Sequence, residues 1–283
     1  MDYLELDVKI NPRQPGSDLL ITELAELGFE SFVETADGFL AYIPGKDFSE
    51  TLLSPIQNVK EELGEVSWSQ KTIPSQNWNA EWESSYQPIQ IGNKLVIRAP
   101  FHEPVKEIEI DLEIQPQQSF GTGHHPTTRL MAEKLLTMPV AGRYILDMGC
   151  GTGVLAILAA KRGAASVLGI DIESNAVLNA IENVQRNKVE QVTIEEGVDV
   201  QIGNRKFDVV LANINKNVLV AALPNYTNAL NAGGELLMSG FFTTDVSALK
   251  EAAEKTGLKF NSTENDGEWA LVHFVKQNLD YEK

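Results

Sequence analysis

A Rossmann-like, doubly wound α/β sheet preceded by a small α+β unit is the fold this sequence predicts, and three observations predict it. Glycines stand at 149, 151 and 153, between an apolar run over Tyr144–Met148 and a helix-forming run that begins at Val154. A second apolar run, Ser166–Asp171, ends on a carboxylate where a parallel sheet presents its carboxyl edge. From Thr127 onward, strand-like and helix-like periodicities alternate along the chain.

The first 74 residues carry a different rhythm. Leu4, Leu6 and Val8 alternate as a strand does, and Leu19, Leu20, Leu24 and Leu27 then recur at helical spacing before Gly28. Phe32-Val33 and residues 39–43 read as short strands around the turn pair Asp37-Gly38. A helix follows over 49–63, and Val66-Ser67-Trp68 opens a last strand. This order predicts a ferredoxin-like sandwich over 1–74. Residues 74–83 are polar except for Trp78 and Trp82, and 75–92 read as a linker with some helix. The two tryptophans sit one helical turn apart, a spacing that predicts packing against a neighbouring domain.

The second domain spans 93–283. Residues 94–99 and 108–114 read as a hairpin leading into it, and a helix runs from 127 to about Leu136. Strands are expected at 144–148, 166–171, 192–195, 208–213 and 235–239, with helices near 153–162, 174–187, 218–230 and 245–256. Residues 258–262 and 269–275 flank Asn265-Asp266-Gly267 as an antiparallel hairpin, which gives a doubly wound sheet with one reversed strand.

Composition narrows the function. With 283 residues and 43% hydrophobic content the chain can bury one large core or two modest ones. A net charge of −17 argues against a broad grip on nucleic acid, which needs clustered Lys and Arg. It suits a basic partner, or solubility alone. No basic stretch followed by an apolar one opens the chain, and no apolar run reaches membrane-spanning length, so a cytoplasmic protein is expected. No extended apolar surface calls for a dimer, and a monomer is the default. Cys150 is the sole cysteine, so there is no internal disulfide; its place inside the glycine turn predicts packing rather than reactivity. His124 and His125 have no carboxylate or cysteine at ligand spacing, and no metal is expected.

The glycine turn speaks for a nucleotide-like ligand, and its spacing says which. A dinucleotide fingerprint needs a glycine at 154, where this chain has valine. That disfavours a nicotinamide-dependent oxidoreductase. The pattern Asp147-x-Gly149-x-Gly151-x-Gly153 instead resembles motif I of the class I S-adenosylmethionine-dependent methyltransferases. Two further segments sharpen the resemblance: Phe120-Gly121-Thr122-Gly123-His124-His125-Pro126-Thr127-Thr128, and Phe207-Asp208-Val209-Val210-Leu211-Ala212-Asn213-Ile214. Together the three look like the PrmA family of methyltransferases, and the likeness extends over nearly the whole chain.

That resemblance implies a seven-stranded methyltransferase sheet, S-adenosylmethionine as cofactor, and lysine and N-terminal amines of ribosomal protein L11, free of the ribosome, as acceptors. It implies that several amines are modified, up to the trimethyl state, and that residues 1–74 recognise the substrate through a mobile linker. By the same resemblance Thr128, Gly149, Asp171 and Asn213 contact the cofactor, with Phe120, Gly121, Thr122, Gly123, Asp147 and Gly151 lining the site. Asp171 would hold the ribose, and Asn213 is the candidate for orienting the amine. Here the chain departs from the Asn-Pro-Pro-Tyr element of other N-methyltransferases, having Asn213-Ile214-Asn215-Lys216. The 121–128 loop is expected to fold over the cofactor as a lid, one histidine bonded to backbone. Two alternatives remain open: a methyltransferase of this class acting on another protein or a small-molecule amine, and a ribosome-associated binding protein with an idle cofactor fold.

Overall fold

A computed structural model describes residues 2–63, 65–73, 83, 85–117 and 121–277. Contacts divide the chain into two units, Met1–Ser85 and Tyr86–Lys283. Trp78 and Trp82 lie outside the described residues, and so does Phe120.

The first unit runs β1 (Tyr3–Asn11), α1 (Arg13–Glu26), β2 (Ser31–Glu34), β3 (Gly38–Pro44), α2 (Ser54–Leu63, entered through a 3-10 turn at Glu50–Leu53) and β4 (Glu65–Ile73). Its strands pair antiparallel in the order β2-β3-β1-β4, the ferredoxin-like arrangement. Period-two alternation sends Leu6, Val8 and Ile10 to one face, where they meet Leu20 and Leu24 of α1 and Ile56 of α2 in a shared core.

The second unit opens with β5 (Ile89–Ile91), β6 (Leu95–Arg98) and β7 (Ile110–Glu113). Here the expected hairpin of 94–99 with 108–114 is corrected. β6 and β7 run parallel, Leu95 opposite Ile110 and Arg98 opposite Glu113, while the hairpin is β5 with β6. The tight turn sits at Gly92, whose φ of +52° suits glycine. The longer connection returns the chain to the same end of the strand. Buried Arg98 holds it, donating from Nε to Asp111 Oδ1 at 2.8 Å and from Nη1 to the His102 carbonyl at 3.1 Å.

The large sheet contains β8 (Tyr144–Met148), β9 (Ser166–Asp171), β10 (Val192–Glu196), β11 (Phe207–Asn213), β12 (Leu230–Phe242), β13 (Leu258–Asp266) and β14 (Trp269–Lys276). Their order is β10-β9-β8-β11-β12-β14-β13, parallel except that β14 runs against both neighbours. Helices α3 (Pro126–Thr137), α4 (Val154–Lys161) and α5 (Ser174–Asn187) cover one face; α6 (Lys216–Ala229) and α7 (Val246–Glu254) cover the other. Along β8, Ile145 enters the first core and Leu146 the second, as strand alternation requires. Connections leave β8 and β11 toward opposite faces, so the carboxyl ends of these adjacent strands bound a crevice where a doubly wound sheet binds its ligand. Among the described residues, no helix is long and apolar enough to cross a membrane.

Candidate functional site

At that carboxyl edge lies a cavity of about 1230 Å³. Small-molecule pockets are commonly about 300–1,000 Å³, so this one has room for a nucleoside-sized ligand and part of a second molecule. Its wall includes Gly149 and Gly151 from the β8 exit, Asp171 from the end of β9, Gly197–Asp199 beyond β10, and Asn213 from the end of β11. Tyr226 of α6, Trp269 of β14 and His125 also reach it.

The turn after β8 is built by backbone. Gly149, Gly151 and Gly153 have φ of +68°, +55° and +78°, a region that other residues enter at a cost. Gly149 N–H donates to the Ile170 carbonyl at 2.8 Å, which couples the turn to β9. Asp171 completes the coupling: Oδ2 accepts from Gly151 N–H at 2.8 Å and Oδ1 from Glu173 N–H at 3.0 Å. One carboxylate therefore organises the exits of two adjacent strands and still faces the cavity.

Asp147 lies beneath this wall and not on it. It shares the strand face of Ile145, so its side chain points to the start of α4, where Oδ2 accepts from Ala156 N–H at 3.1 Å. Burial pushes its carboxyl up to about 7, against the opposing pull of the Ala156 hydrogen bond and with a further push from Asp171. An acid whose folded pKa is raised stabilises the fold fully only below its unfolded value, and that contribution is lost as pH climbs from about 4 through 7. The ceiling is about 4 kcal/mol, each pH unit being worth roughly 1.4. Asp147→Asn keeps the acceptor for Ala156 and removes the ionisation. Its urea midpoint is expected to exceed the wild-type midpoint at pH 9 by much more than at pH 4, and a gap independent of pH would show that Asp147 does not ionise in this range.

Thr128 is fully buried near the start of α3, behind Asn213, and its Oγ1 accepts from Asn213 Nδ2 at 3.4 Å. The other amide atom, Asn213 Oδ1, is buried without a hydrogen-bond partner. Capping of α6 falls to Asn215, whose Oδ1 accepts from Val218 N–H at 3.2 Å, so Asn213 has no capping duty.

Gly121, Thr122 and Gly123 are off the cavity wall among the described residues. The Gly121 carbonyl accepts from Thr152 Oγ1 at 2.6 Å, which moors the loop to the glycine turn. Gly123 packs against Ile89 and Ile97. Both histidines are bonded to backbone: His124 through Nε2 to the Gln87 carbonyl at 3.1 Å, with its ring edge-on to Tyr86, and His125 through Nδ1 to Thr127 N–H at 3.3 Å. His125 caps α3 by accepting from Thr127 N–H, and burial lowers its pKa, so the imidazole is neutral at pH 7. Among the described residues no group of three or more His, Cys, Asp or Glu is placed to hold a metal. Cys150 is buried beside Gly169, and burial, reinforced by Asp147 and Asp171, raises its thiol pKa; it packs as a protonated side chain.

Several wall residues escape the sequence reading. Gly197–Asp199 leave β10 with no glycine-spacing motif, and the only sequence signal is their place at a parallel-strand exit. Tyr226 has the spacing of a core residue on α6. Trp269 follows a hairpin turn, where its ring meets His125 edge-on, with centroids 4.5 Å apart, and lies tilted against Phe242 at 4.4 Å. Asn179, Asn183 and Asn187, a stripe on α5, grip the backbone of Glu113 and Gln115, and Asn183 also donates to the Thr152 carbonyl at 2.9 Å.

The sequence matches the family described as "Ribosomal protein L11 methyltransferase (PrmA)" over residues 21–277. A protein of Bacteroides fragilis named ribosomal protein L11 methyltransferase is 41% identical over 279 residues, 97% of this chain and 100% of that protein. A Porphyromonas gingivalis protein of the same name is 43% identical, over 91% of this chain and 90% of its own. The crystal structure of a ribosomal protein L11 methylase from Lactobacillus delbrueckii subsp. bulgaricus superposes with a TM-score of 0.63 at 26% identity, covering 68% of this chain and 100% of that one. A methyltransferase from Pyrococcus furiosus shares the fold, with a TM-score of 0.51, 20% identity and coverage of 59% and 90%.

Proposed function

Because the chain belongs to the ribosomal protein L11 methyltransferase (PrmA) family and takes S-adenosylmethionine as methyl donor, we propose that it transfers methyl groups to lysine and N-terminal amines of ribosomal protein L11. The observation that carries the site assignment is Asn213 Oδ1, a buried acceptor without a partner on the wall of a cavity that also holds the glycine turn and Asp171. The wall suits the donor. Glycine backbone at 149 and 151 allows close approach, the Asp171 carboxylate suits ribose hydroxyls, and Asn213 has an acceptor to offer to an amine. On this reading Gly149, Gly151 and Asp171 bind the cofactor directly, Asn213 stands at its reacting end and orients the amine, and Thr128 holds the Asn213 amide. Residues 1–74 recognise the acceptor and 75–92 link them to the catalytic domain 93–283. The chain acts as a cytoplasmic monomer on L11 free of the ribosome, a reading that its net charge of −17 supports by disfavouring contact with ribosomal RNA.

Bound S-adenosylmethionine supplies an activated methyl group with a neutral thioether as leaving group. The chain's own work is alignment and exclusion of water. The acceptor must lose a proton first. A lysine with pKa about 10.4 is only about 0.1% neutral at pH 7.4, a penalty of roughly 4 kcal/mol, whereas an α-amine near 8 costs under about 1 kcal/mol. Desolvation against Trp269 and neutral His125 lowers the amine pKa, and Asn213 Oδ1 accepts one N–H so that the lone pair has a fixed direction. The proton leaves to water.

Intact-mass spectrometry of unmodified recombinant L11, incubated with the protein and S-adenosylmethionine, tests the reading. Increments of about 14 Da are expected, and Asp171→Ala should abolish them because Gly151, Glu173 and the ribose lose their acceptor together. Intact binding of S-adenosylhomocysteine without any increment on L11 would overturn the acceptor assignment and leave the methyltransferase standing.

A further inference from the structure

Trp269 is held on the cavity wall by a pair of charges that the chemistry above does not use. Asp266, Trp269 and Phe242 lie directly opposite one another across β13, β14 and β12. Opposed residues of antiparallel strands project to the same face, so the three side chains form one row. Against that row lies the start of α3. His125 meets the Trp269 ring, and Arg129, one helical turn further on, meets Asp266: Nε donates to Oδ2 at 3.0 Å, and Nη2 lies 2.7 Å from the same oxygen. The match is geometric, since a helix pitch of about 5.4 Å nearly equals a strand spacing of about 4.8 Å.

The row sits at the tip of a hairpin. Only Gly267 and Glu268 separate Asp266 from Trp269, and Gly267 has a φ of +58°. Such a tip frays unless it is tied down. Arg129 ties it from α3, and Thr243 N–H ties it from the β12 side by donating to the Glu268 carbonyl at 2.8 Å. The Arg129 and Asp266 side chains are 41% and 39% exposed, so their ion pair contributes little to overall stability. Its effect is local, on where the Trp269 ring stands.

We propose that Arg129 is a positioning residue for methyl transfer to lysine: by holding the Asp266–Trp269 tip against α3 it keeps the Trp269 ring closed on His125, where the acceptor amine is stripped of water. This rests on the acceptor reading above. Lysine depends on that closure far more than an α-amine does. At pH 7.4 about one lysine in a thousand is neutral, against about one α-amine in five, so a looser and wetter slot takes most from lysine. Among the described residues Arg129 stands off the cavity wall, and it acts through Trp269.

Timed mass spectrometry of digested L11, incubated with the full-length chain and saturating S-adenosylmethionine, counts methyl groups at lysines and at the N-terminus separately. Arg129→Ala is expected to lower kcat for lysine about tenfold and for the α-amine by less than about threefold, a fraction of the roughly 100-fold that an ångström of misplacement costs. KM for L11 and the affinity for S-adenosylhomocysteine should each stay within about twofold, and the melting temperature within a few degrees. Arg129→Lys should return most of the lysine rate, because both Arg129 contacts converge on one oxygen that an ammonium can also meet. An equal fall for both amines, an unchanged lysine rate in Arg129→Ala, or no rescue by Arg129→Lys would overturn the assignment and leave the acceptor reading standing. Wild type that methylates no lysine of L11 would overturn the acceptor reading, and this inference with it.

Discussion

Gly149→Ala is expected to weaken S-adenosylhomocysteine binding by about 100-fold, the scale on which an ångström of misplacement acts at a site. Two separate strains produce the effect. An alanine at φ +68° costs roughly 1–2 kcal/mol. Its Cβ would also stand 2.2 Å from Ile214 Cγ2, a distance that cannot be tolerated, so the turn or Ile214 must move. Moving the turn strains the Gly149 N–H bond to Ile170 and then the Gly151 N–H bond to Asp171, both 2.8 Å. The double variant Gly149→Ala, Ile214→Ala separates the strains, since it removes the clash and keeps the dihedral cost. Titrations of single and double variants should show partial recovery. Full recovery would mean that the left-handed backbone is irrelevant, and no recovery would mean that Ile214 is not what Gly149 must avoid.

The same turn shows why so much of this molecule is legible in sequence. A left-handed backbone at alternate residues admits almost only glycine, so the geometry is written directly in residue type. Asp171 is similarly exposed to reading, because a carboxylate ending an apolar strand has few reasons to be there. The alternation of Leu6, Val8 and Ile10, and the helix spacing in α1, are equally direct. Pairing direction is different. Nothing local in 94–99 and 108–114 distinguishes a hairpin from a parallel pair, and the decision rests on how Arg98 gathers the connection through Asp111 and the His102 carbonyl. Asp147 shows a subtler limit: its motif position places it near the ligand, but strand parity, not motif, aims its carboxylate at Ala156. Tyr226 and Trp269 join the wall through packing of α6 and β14, so their role emerges only when distant elements assemble. The 3-10 turn after β10 is placed by its contact with Asn225, another interaction between residues far apart in sequence.

Asn213→Ala is expected to lower kcat about 10²–10³-fold, the cost of removing one preorganised polar group at a reacting centre, while S-adenosylhomocysteine affinity changes by less than about threefold. The partition follows from which atom is lost. Nδ2 engages Thr128 at a long 3.4 Å, so it contributes little to the fold, and Oδ1 has no partner to miss it. Removing the amide therefore leaves no buried group newly stranded except the Thr128 hydroxyl, and the melting temperature should stay within a few degrees. An amine that depends on Oδ1 for its orientation would lose rate without losing the cofactor. Thr128 supplies the second arm of the argument, because it acts through Asn213. Thr128→Val removes the acceptor that holds the amide and should cost part of the same kcat, and Thr128→Ser should restore it. If Asn213→Ala raises the cofactor KM and leaves kcat intact, the side chain serves binding alone, and the direction of the amine's lone pair must be set by the backbone carbonyls beyond β11.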